Sequence, residues 1–115
     1  MLFYRLRANP TASGGTWSVK LSDMLPSAYV TKQPSQLVFQ PMLTRQIYVK
    51  ATTPGNTYDL TVTDYEGIEI RRFVNISQVY NDLTETPIVG DITFTVTGSD
   101  ADEAFTLLVI VEDRR

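Results

Sequence analysis

The chain has 115 residues, a formal net charge of −3 and a hydrophobic fraction of 43%. This length suits one domain, and this hydrophobic fraction excludes a chain that is disordered by composition. The sequence contains no cysteine and no histidine, which excludes disulfides and thiolate nucleophiles and removes the commonest general base and metal ligand. We therefore predict a single domain over residues 1–115 that is not an enzyme and binds no cofactor.

The first predicted strand covers residues 2–7, where side chains alternate with period two. One face carries Leu2, Tyr4 and Leu6, and the other carries Phe3, Arg5 and Arg7. Asn9-Pro10 and the Ser13–Gly15 run then break the strand. We interpret residues 1–15 as an N-terminal strand followed by a flexible loop or arm.

The middle of the chain predicts further short strands. Thr16–Leu21, Arg45–Ala51 and Thr57–Thr63 alternate apolar and polar residues, and Leu37–Phe39 is interpreted as a shorter strand. The segment Ala28–Thr31 lies between two prolines, which is typical of an edge or crossing strand.

Turn signals and one irregularity follow. Pro54-Gly55 predicts a tight turn, and Gly67 fits the left-handed position of a hairpin loop. Because Phe73 is out of phase with Ile70, we expect a β-bulge at Arg71-Arg72.

Residues 75–90 are ambiguous. Ile76, Val79, Tyr80 and Leu83 have the i, i+3, i+4, i+7 spacing of a helix, although Val79-Tyr80 also fits a short strand. We expect a loop with one helical turn here.

The last quarter of the chain contains two strands joined by a polar link. Residues 92–97 are apolar on one face, whereas residues 104–111 are apolar on both. A strand of the second kind belongs in the middle of a sandwich or against a partner. The whole pattern predicts an all-β fold, an antiparallel β-sandwich of eight or nine short strands with little or no helix.

Acidic residues cluster in the polar link. Asp100, Asp102 and Glu103 could supply oxygen ligands to Ca²⁺. The alternative is a solvated turn, because acidic residues favour turns and oppose edge pairing. No other metal site is predicted.

Charge is distributed unevenly along the chain. Residues 1–53 carry six cations and one anion (+5), and residues 54–115 carry four cations and twelve anions (−8). Such asymmetry can indicate head-to-tail association, unless strands of the two halves interleave. The acidic total without a dense basic stripe disfavours nucleic-acid binding.

Several side chains are candidates for an interface. The Arg71-Arg72 pair could bind a phosphate or a partner's carboxylate, or one arginine could pair with Glu69 or Glu66. Tyr48 and Tyr65 fall on predicted outer faces or loops, where aromatic residues are typical of interfaces. The full set of interface candidates is Phe3, Arg5, Arg7, Tyr48, Tyr65, Arg71, Arg72, Leu108 and Ile110.

Two segments resemble parts of fibronectin-III and bacterial Ig-like domains. The run from Pro54 to Thr63 resembles a turn and strand of those domains, and residues 91–97 with 109–111 resemble their closing hairpin. The resemblance implies an Ig-like sandwich. A jelly roll is the alternative, because a long stretch of chain follows the Tyr58 strand.

The sandwich pattern, the Thr/Val-rich strands, the absent Cys and His and the split charge together resemble small structural proteins of tailed-bacteriophage virions. The resemblance implies a capsid decoration (cement) protein that stabilises the head by binding between capsid subunits. Its partners would be the major capsid protein or other virion proteins, and it would be a homo-oligomer, a trimer or dimer. The alternatives are a tail, baseplate or fibre adaptor, and an Ig-like module that binds carbohydrate or protein.

Localisation follows from the same resemblance. We expect a protein that is made in the host cytoplasm and incorporated into the virion, with no membrane partner. No signal peptide is predicted, because a charged residue, Arg5, follows closely after Met1 and no apolar run approaches the ~20 residues of a membrane span.

Overall fold

In the computed structural model, which describes residues 2–26 and 34–114, the strands form two antiparallel sheets. The ten strands are β1 (Leu2–Ala8), β2 (Trp17–Lys20), β3 (Leu25–Pro26), β4 (Met42–Ala51), β5 (Thr57–Thr63), β6 (Glu69–Ser77), β7 (Val79–Asp82), β8 (Thr86–Ile88), β9 (Thr93–Thr97) and β10 (Phe105–Asp113). The larger sheet has the order β3-β1-β10-β4-β7, with β8 also paired to β4, and the smaller has the order β2-β9-β5-β6. The predicted all-β, antiparallel sandwich is confirmed.

Strand β10 lies in the middle of the larger sheet, between β1 and β4. Its inner face is fully buried, with Leu107, Val109 and Val111 each 0% exposed. Its outer face carries the half-buried Leu108 and Ile110. A strand that is apolar on both faces therefore occupies the central position that its pattern predicted.

The two sheets enclose one hydrophobic core that contains three interacting aromatic rings. Phe105 packs edge-on against Trp17, with ring centroids 5.6 Å apart, and against Tyr58, at 5.0 Å. The Tyr58 hydroxyl donates a 2.7 Å hydrogen bond to the Gln78 carbonyl oxygen. Burial, and to a smaller extent the nearby Tyr48, raises the pKa of Tyr58.

The N-terminal segment is part of the core. Tyr4 is 4% exposed and Leu6 is 0% exposed. Residues 9–15 then run along the loop between β9 and β10, where the Ala12 N–H donates to the Glu103 carbonyl oxygen at 2.8 Å and the Ala12 carbonyl oxygen accepts from the Asp102 N–H at 2.7 Å. This corrects the interpretation of residues 9–15 as a flexible arm, because the segment is held by backbone hydrogen bonds on both sides.

Strands β9 and β10 do not form the closing hairpin that the Ig-like resemblance implied. They belong to different sheets, and the residues between them cross from one sheet to the other. The crossing packs closely on the loop that contains Gly15, where a Cβ atom would lie 2.5 Å from the Ser99 carbonyl oxygen. Gly15 also has a φ of +84°, so both space and backbone conformation require glycine there.

Residues 75–90 are strands rather than a loop with a helical turn. This segment contains the end of β6 and the whole of β7 and β8. Asn75 and Gln78 have φ values of 54° and 61°, which interrupt the helical spacing and redirect the chain from the smaller sheet to the larger. The apparent period therefore arose from residues that lie on β6, on β7 and in the loop between β7 and β8.

Three other local predictions have different outcomes. The expected strand at Leu37–Phe39 is wrong, because Pro34–Leu37 forms one helical turn that ends within it. The expected bulge at Arg71-Arg72 is displaced, because both arginines pair regularly and the irregularities in β6 lie on either side of them. The predicted strand at Ala28–Thr31 lies outside the described residues.

Candidate interaction surface on the larger sheet

The outer face of the larger sheet collects side chains from five strands in register. Pairing of β3, β1, β10, β4 and β7 places Leu25, Arg7, Leu108, Tyr48 and Asn81 in one row across the sheet. Neighbouring rows contain Arg5, Ile110 and Gln46, then Thr106, Lys50 and Val79, and finally Phe3, Glu112, Leu43 and Pro87. We call the surface formed by Phe3, Arg5, Arg7, Leu25, Tyr48, Lys50, Val79, Leu108 and Ile110 the apolar–basic face.

Apolar side chains on this face remain in contact with solvent. Leu25 is 60% exposed, Phe3 is 54% exposed and Val79 is 45% exposed. Leu108 and Ile110 lie between them and are half-buried by their neighbours. Apolar side chains that gather on one face across several strands are typical of an interaction site, unlike apolar residues exposed singly.

The charges on this face are positive and largely uncompensated. Arg5, Arg7 and Lys50 are exposed. None of the three forms an ion pair within the part of the chain that the structure describes. Guanidinium and ammonium groups that border an apolar surface can attract and orient an anionic partner.

A buried carboxylate lies at one end of the face. The Glu112 side chain is 1% exposed and is 2.7 Å from the Arg114 Nη1 and 3.8 Å from the Arg45 Nη1. Arg45 also pairs with Glu85, and its guanidinium lies 5.6 Å from the centre of the Phe3 ring. These contacts neutralise Glu112 within the fold, so it does not offset the three exposed cations.

The outer face of the smaller sheet has a different composition. One row contains Ser18, Thr95, Thr61 and Arg72, and the next contains Lys20, Thr93, Thr63 and Glu69. The Ser18 and Thr95 hydroxyls are hydrogen-bonded at 2.8 Å, and Arg72 pairs with Glu69 at 3.0 Å. These two rows contain no apolar side chain, in contrast to the rows of the apolar–basic face.

Six of the nine interface candidates from the sequence lie together on the apolar–basic face. They are Phe3, Arg5, Arg7, Tyr48, Leu108 and Ile110. The other three, Tyr65, Arg71 and Arg72, lie on or beside β6 in the smaller sheet. The structure therefore divides the candidates between two regions.

The two adjacent arginines are both engaged within the fold. Arg71 reaches from the smaller sheet to the larger, where its Nη2 lies 3.4 Å from Asp82 and its Nη1 donates to the Thr86 Oγ1 at 3.2 Å. Its guanidinium also lies over Phe73 at 5.2 Å from the ring centre. With Arg72 paired to Glu69, this arrangement matches the intramolecular alternative rather than an anion site.

Tyr65 lies at the tip of the β5–β6 hairpin and is 64% exposed. Its ring packs against Gly90, where an added Cβ would approach within 2.9 Å, and it borders a cleft of about 210 Å³ together with Ile70 and Val89. A hydrogen bond with Glu66 raises the pKa of the Tyr65 hydroxyl. Tyr65 is thus separate from the apolar–basic face.

The three proposed calcium ligands do not point to one place. The Glu103 carboxylate accepts hydrogen bonds from the Thr53 N–H and Oγ1, both at 3.1 Å, whereas Asp100 and Asp102 are exposed. Across residues 2–26 and 34–114, no group of three or more acidic side chains is arranged to hold a metal ion. These contacts match the alternative of a hydrogen-bonded turn.

Sequence reasoning missed three residues of the face. Lys50 has the same strand parity as Tyr48, so the alternation of β4 could have identified it. Leu25 lies on a strand of two residues, and Val79 lies in the segment with a misleading helical period. No sequence signal marked either of these as outward-facing.

No family model matches this sequence, and no curated protein matches it either. Among solved structures, the chain is similar to a crystal structure of FlhE, with 12% identity, a TM-score of 0.44 and 98% of both chains covered. It is also similar to dimeric latent PorU from Porphyromonas gingivalis, with 11% identity and a TM-score of 0.38, where it spans 96% of its own length but only 13% of that chain.

A third similarity is to the virus-like particle of extra small virus from the giant freshwater prawn Macrobrachium rosenbergii. The identity is 12%, the TM-score is 0.32, and 95% of this chain and 81% of that chain are covered. At these values the similarities assign no family. In the described residues, no helix has the length and apolar character needed to cross a bilayer.

Proposed function

We propose that this protein is a structural component of a bacteriophage virion, a capsid decoration protein that binds between capsid subunits through its apolar–basic face. The observation that carries the proposal is the group of exposed and half-buried apolar side chains on the outer face of the larger sheet, with Arg5, Arg7 and Lys50 interspersed among them. Interfaces are enriched in aromatic residues and arginine at their centres, and Phe3, Tyr48 and the two arginines fit that composition.

The framework of the face favours binding at low entropic cost. Its side chains extend from β1, β10 and β4, whose inner faces form the core, as shown by the complete burial of Leu6, Val49 and Leu107. A surface held by a packed sheet loses little conformational freedom when a partner binds. This suits a protein whose task is to hold neighbouring subunits in a fixed arrangement.

Co-sedimentation with empty heads of the bacteriophage that encodes the chain tests the proposal. The informative variant is Ile110→Asp, which places a carboxylate in the centre of the face, and its matched control is Thr95→Asp at the centre of the smaller sheet's outer face. The wild type and Thr95→Asp should sediment with the heads at a copy number close to that of the capsid subunits, and Ile110→Asp should not. Binding of both variants to the same extent would contradict the proposal, and a copy number of only a few per particle would indicate a tail component instead.

A further inference from the structure

The charge on the apolar–basic face selects among its potential partners. Arg5, Arg7 and Lys50 lack intramolecular carboxylate partners in the described part of the chain, and the Glu112 carboxylate is already engaged by Arg114 and Arg45. The face therefore presents three positive charges around an apolar centre. Burying such charges without an opposite charge is costly, so a stable partner must supply anionic groups.

A second copy of the chain does not meet this requirement. In a two-fold dimer through this face, the same patch of each copy would meet its equivalent, and six uncompensated cations would enter one interface. Like charges brought together in a desolvated interface cost several kcal/mol. The homo-oligomer expected from the phage resemblance would have to form through another surface.

The apolar content of the face favours a protein partner over a nucleic acid. Leu25, Phe3 and Val79 are exposed beside the half-buried Leu108 and Ile110. Protein–nucleic acid interfaces are more polar and more positively charged than protein–protein interfaces, and they depend on many phosphate contacts. Three cations around a mainly apolar centre match a protein with both carboxylates and apolar side chains.

The dimensions of the face indicate the shape of that partner. Five strands at about 4.8 Å spacing and four rows at about 6.8 Å spacing give a surface of roughly 20 Å by 20 Å, or about 400 Å² in projection. This is about half of the ~800 Å² that each partner buries in a standard interface. One α-helix of about 14 residues, with a length of about 21 Å and a diameter of about 10 Å, covers the apolar centre and leaves its flanks beside the cations.

We infer that the apolar–basic face binds an acidic amphipathic helix of another virion protein, with the helix's apolar side chains on Leu108, Ile110 and Tyr48 and its carboxylates beside Arg5, Arg7 and Lys50. The inference rests on the proposed docking role of this face and adds the chemistry of the partner. Packing of a helix on a sheet face is one of the stable layer arrangements of proteins.

Titration of two synthetic peptides tests the inference. One is a helix of about 14 residues with leucines on one face and glutamates beside them, and the other has lysines in place of the glutamates. The full-length protein should bind the glutamate peptide at least about tenfold more tightly than the lysine peptide, as measured by fluorescence anisotropy, with affinity falling as salt increases. Equal affinity for the two peptides, or no binding of the glutamate peptide, would overturn the inference.

A matched pair of charge reversals places the binding site. The variant Arg5→Glu/Arg7→Glu should lose at least about tenfold in affinity for the glutamate peptide, whereas Lys20→Glu/Arg72→Glu, which makes the same change of net charge on the smaller sheet, should lose less than about twofold. Equal losses in the two variants would show a non-specific charge effect and overturn the assignment.

Three further measurements distinguish the other occupants and the failure of the proposed function. A dimer in sedimentation equilibrium that Ile110→Asp dissolves would overturn the inference in favour of self-association. Tighter binding to duplex DNA or to phosphatidylglycerol vesicles than to the glutamate peptide would overturn it in favour of those partners. Peptide binding at the face without any binding to phage heads would support the partner chemistry and contradict only the decoration role.

Discussion

The buried carboxylate of Glu112 gives a sharp stability prediction, because the same arginine pairs with one buried and one exposed glutamate. Arg45 contacts Glu112, whose side chain is 1% exposed, and Glu85, whose side chain is 53% exposed. Replacing each glutamate by glutamine makes the same chemical change at two different depths. The comparison therefore isolates the effect of burial on the stabilisation that an ion pair contributes.

The expected magnitudes follow from exposure. Removing one partner of a buried ion pair costs about 3–5 kcal/mol when the remaining charge stays buried. Arg45 and Arg114 are 37% and 48% exposed, so both can regain water after Glu112→Gln. We therefore expect a loss of about 2–3 kcal/mol for Glu112→Gln and of less than about 1 kcal/mol for Glu85→Gln.

Urea denaturation followed by tryptophan fluorescence measures both variants, since Trp17 is buried in the core. With an m-value of about 1.5 kcal/mol/M, the midpoint of Glu112→Gln should fall by about 1.3–2 M, and that of Glu85→Gln by less than about 0.7 M. The slope should stay unchanged in both. A midpoint shift for Glu112→Gln that is no larger than that for Glu85→Gln would refute the argument that burial decides the value of this ion cluster.

Three further predictions concern the rest of the fold. Leu6→Ala should lower the free energy of unfolding in urea by about 2–4 kcal/mol, because β1 belongs to the core. For the same reason, removal of residues 1–15 should unfold the protein instead of leaving the rest of the fold intact. Glu103→Ala should lower the free energy of unfolding by about 2–3 kcal/mol, because the Thr53 N–H loses its acceptor. Millimolar Ca²⁺ should not raise the melting temperature of the wild type. Burial raises the pKa of Tyr58 above its usual 10.0. The contribution of the neutral Tyr58 to folding stability is therefore present below about pH 10 and is lost as the pH rises further. In denaturation series, Tyr58→Phe should lose less stability than the wild type between pH 9 and about 11.

The faces of individual strands could be read from the sequence, because alternation depends only on local geometry. The period-two pattern assigned Arg5 and Arg7 to one side of β1, and Leu108 and Ile110 to the side of β10 opposite Leu107 and Val109. It could not show that these two strands are neighbours. Pairing is decided by the tertiary arrangement of the sheets, and only that pairing joins the four side chains into one surface.

Sequence reasoning failed where short strands meet at irregular backbone positions. A helical period in residues 75–90 was produced by residues of β6, of β7 and of the loop after β7. Asn75 within β6 and Gln78 between β6 and β7 have left-handed conformations, which periodicity does not register. Two strands that are adjacent in sequence, β9 and β10, were associated as a hairpin although each pairs within a different sheet. Both errors arise because local patterns specify which side of a strand is buried, not which strand lies beside it.

Hydroxyl-radical footprinting of the protein on phage heads tests the central claim most directly. Binding through the apolar–basic face predicts that oxidation of Phe3, Leu25 and Tyr48 falls strongly in the particle-bound protein, because these side chains are exposed or half-exposed in the isolated chain. Oxidation of Tyr65 and Leu83, which are exposed outside that face, should stay the same. Protection of Tyr65 and Leu83 with unchanged oxidation of Phe3, Leu25 and Tyr48 would contradict the account.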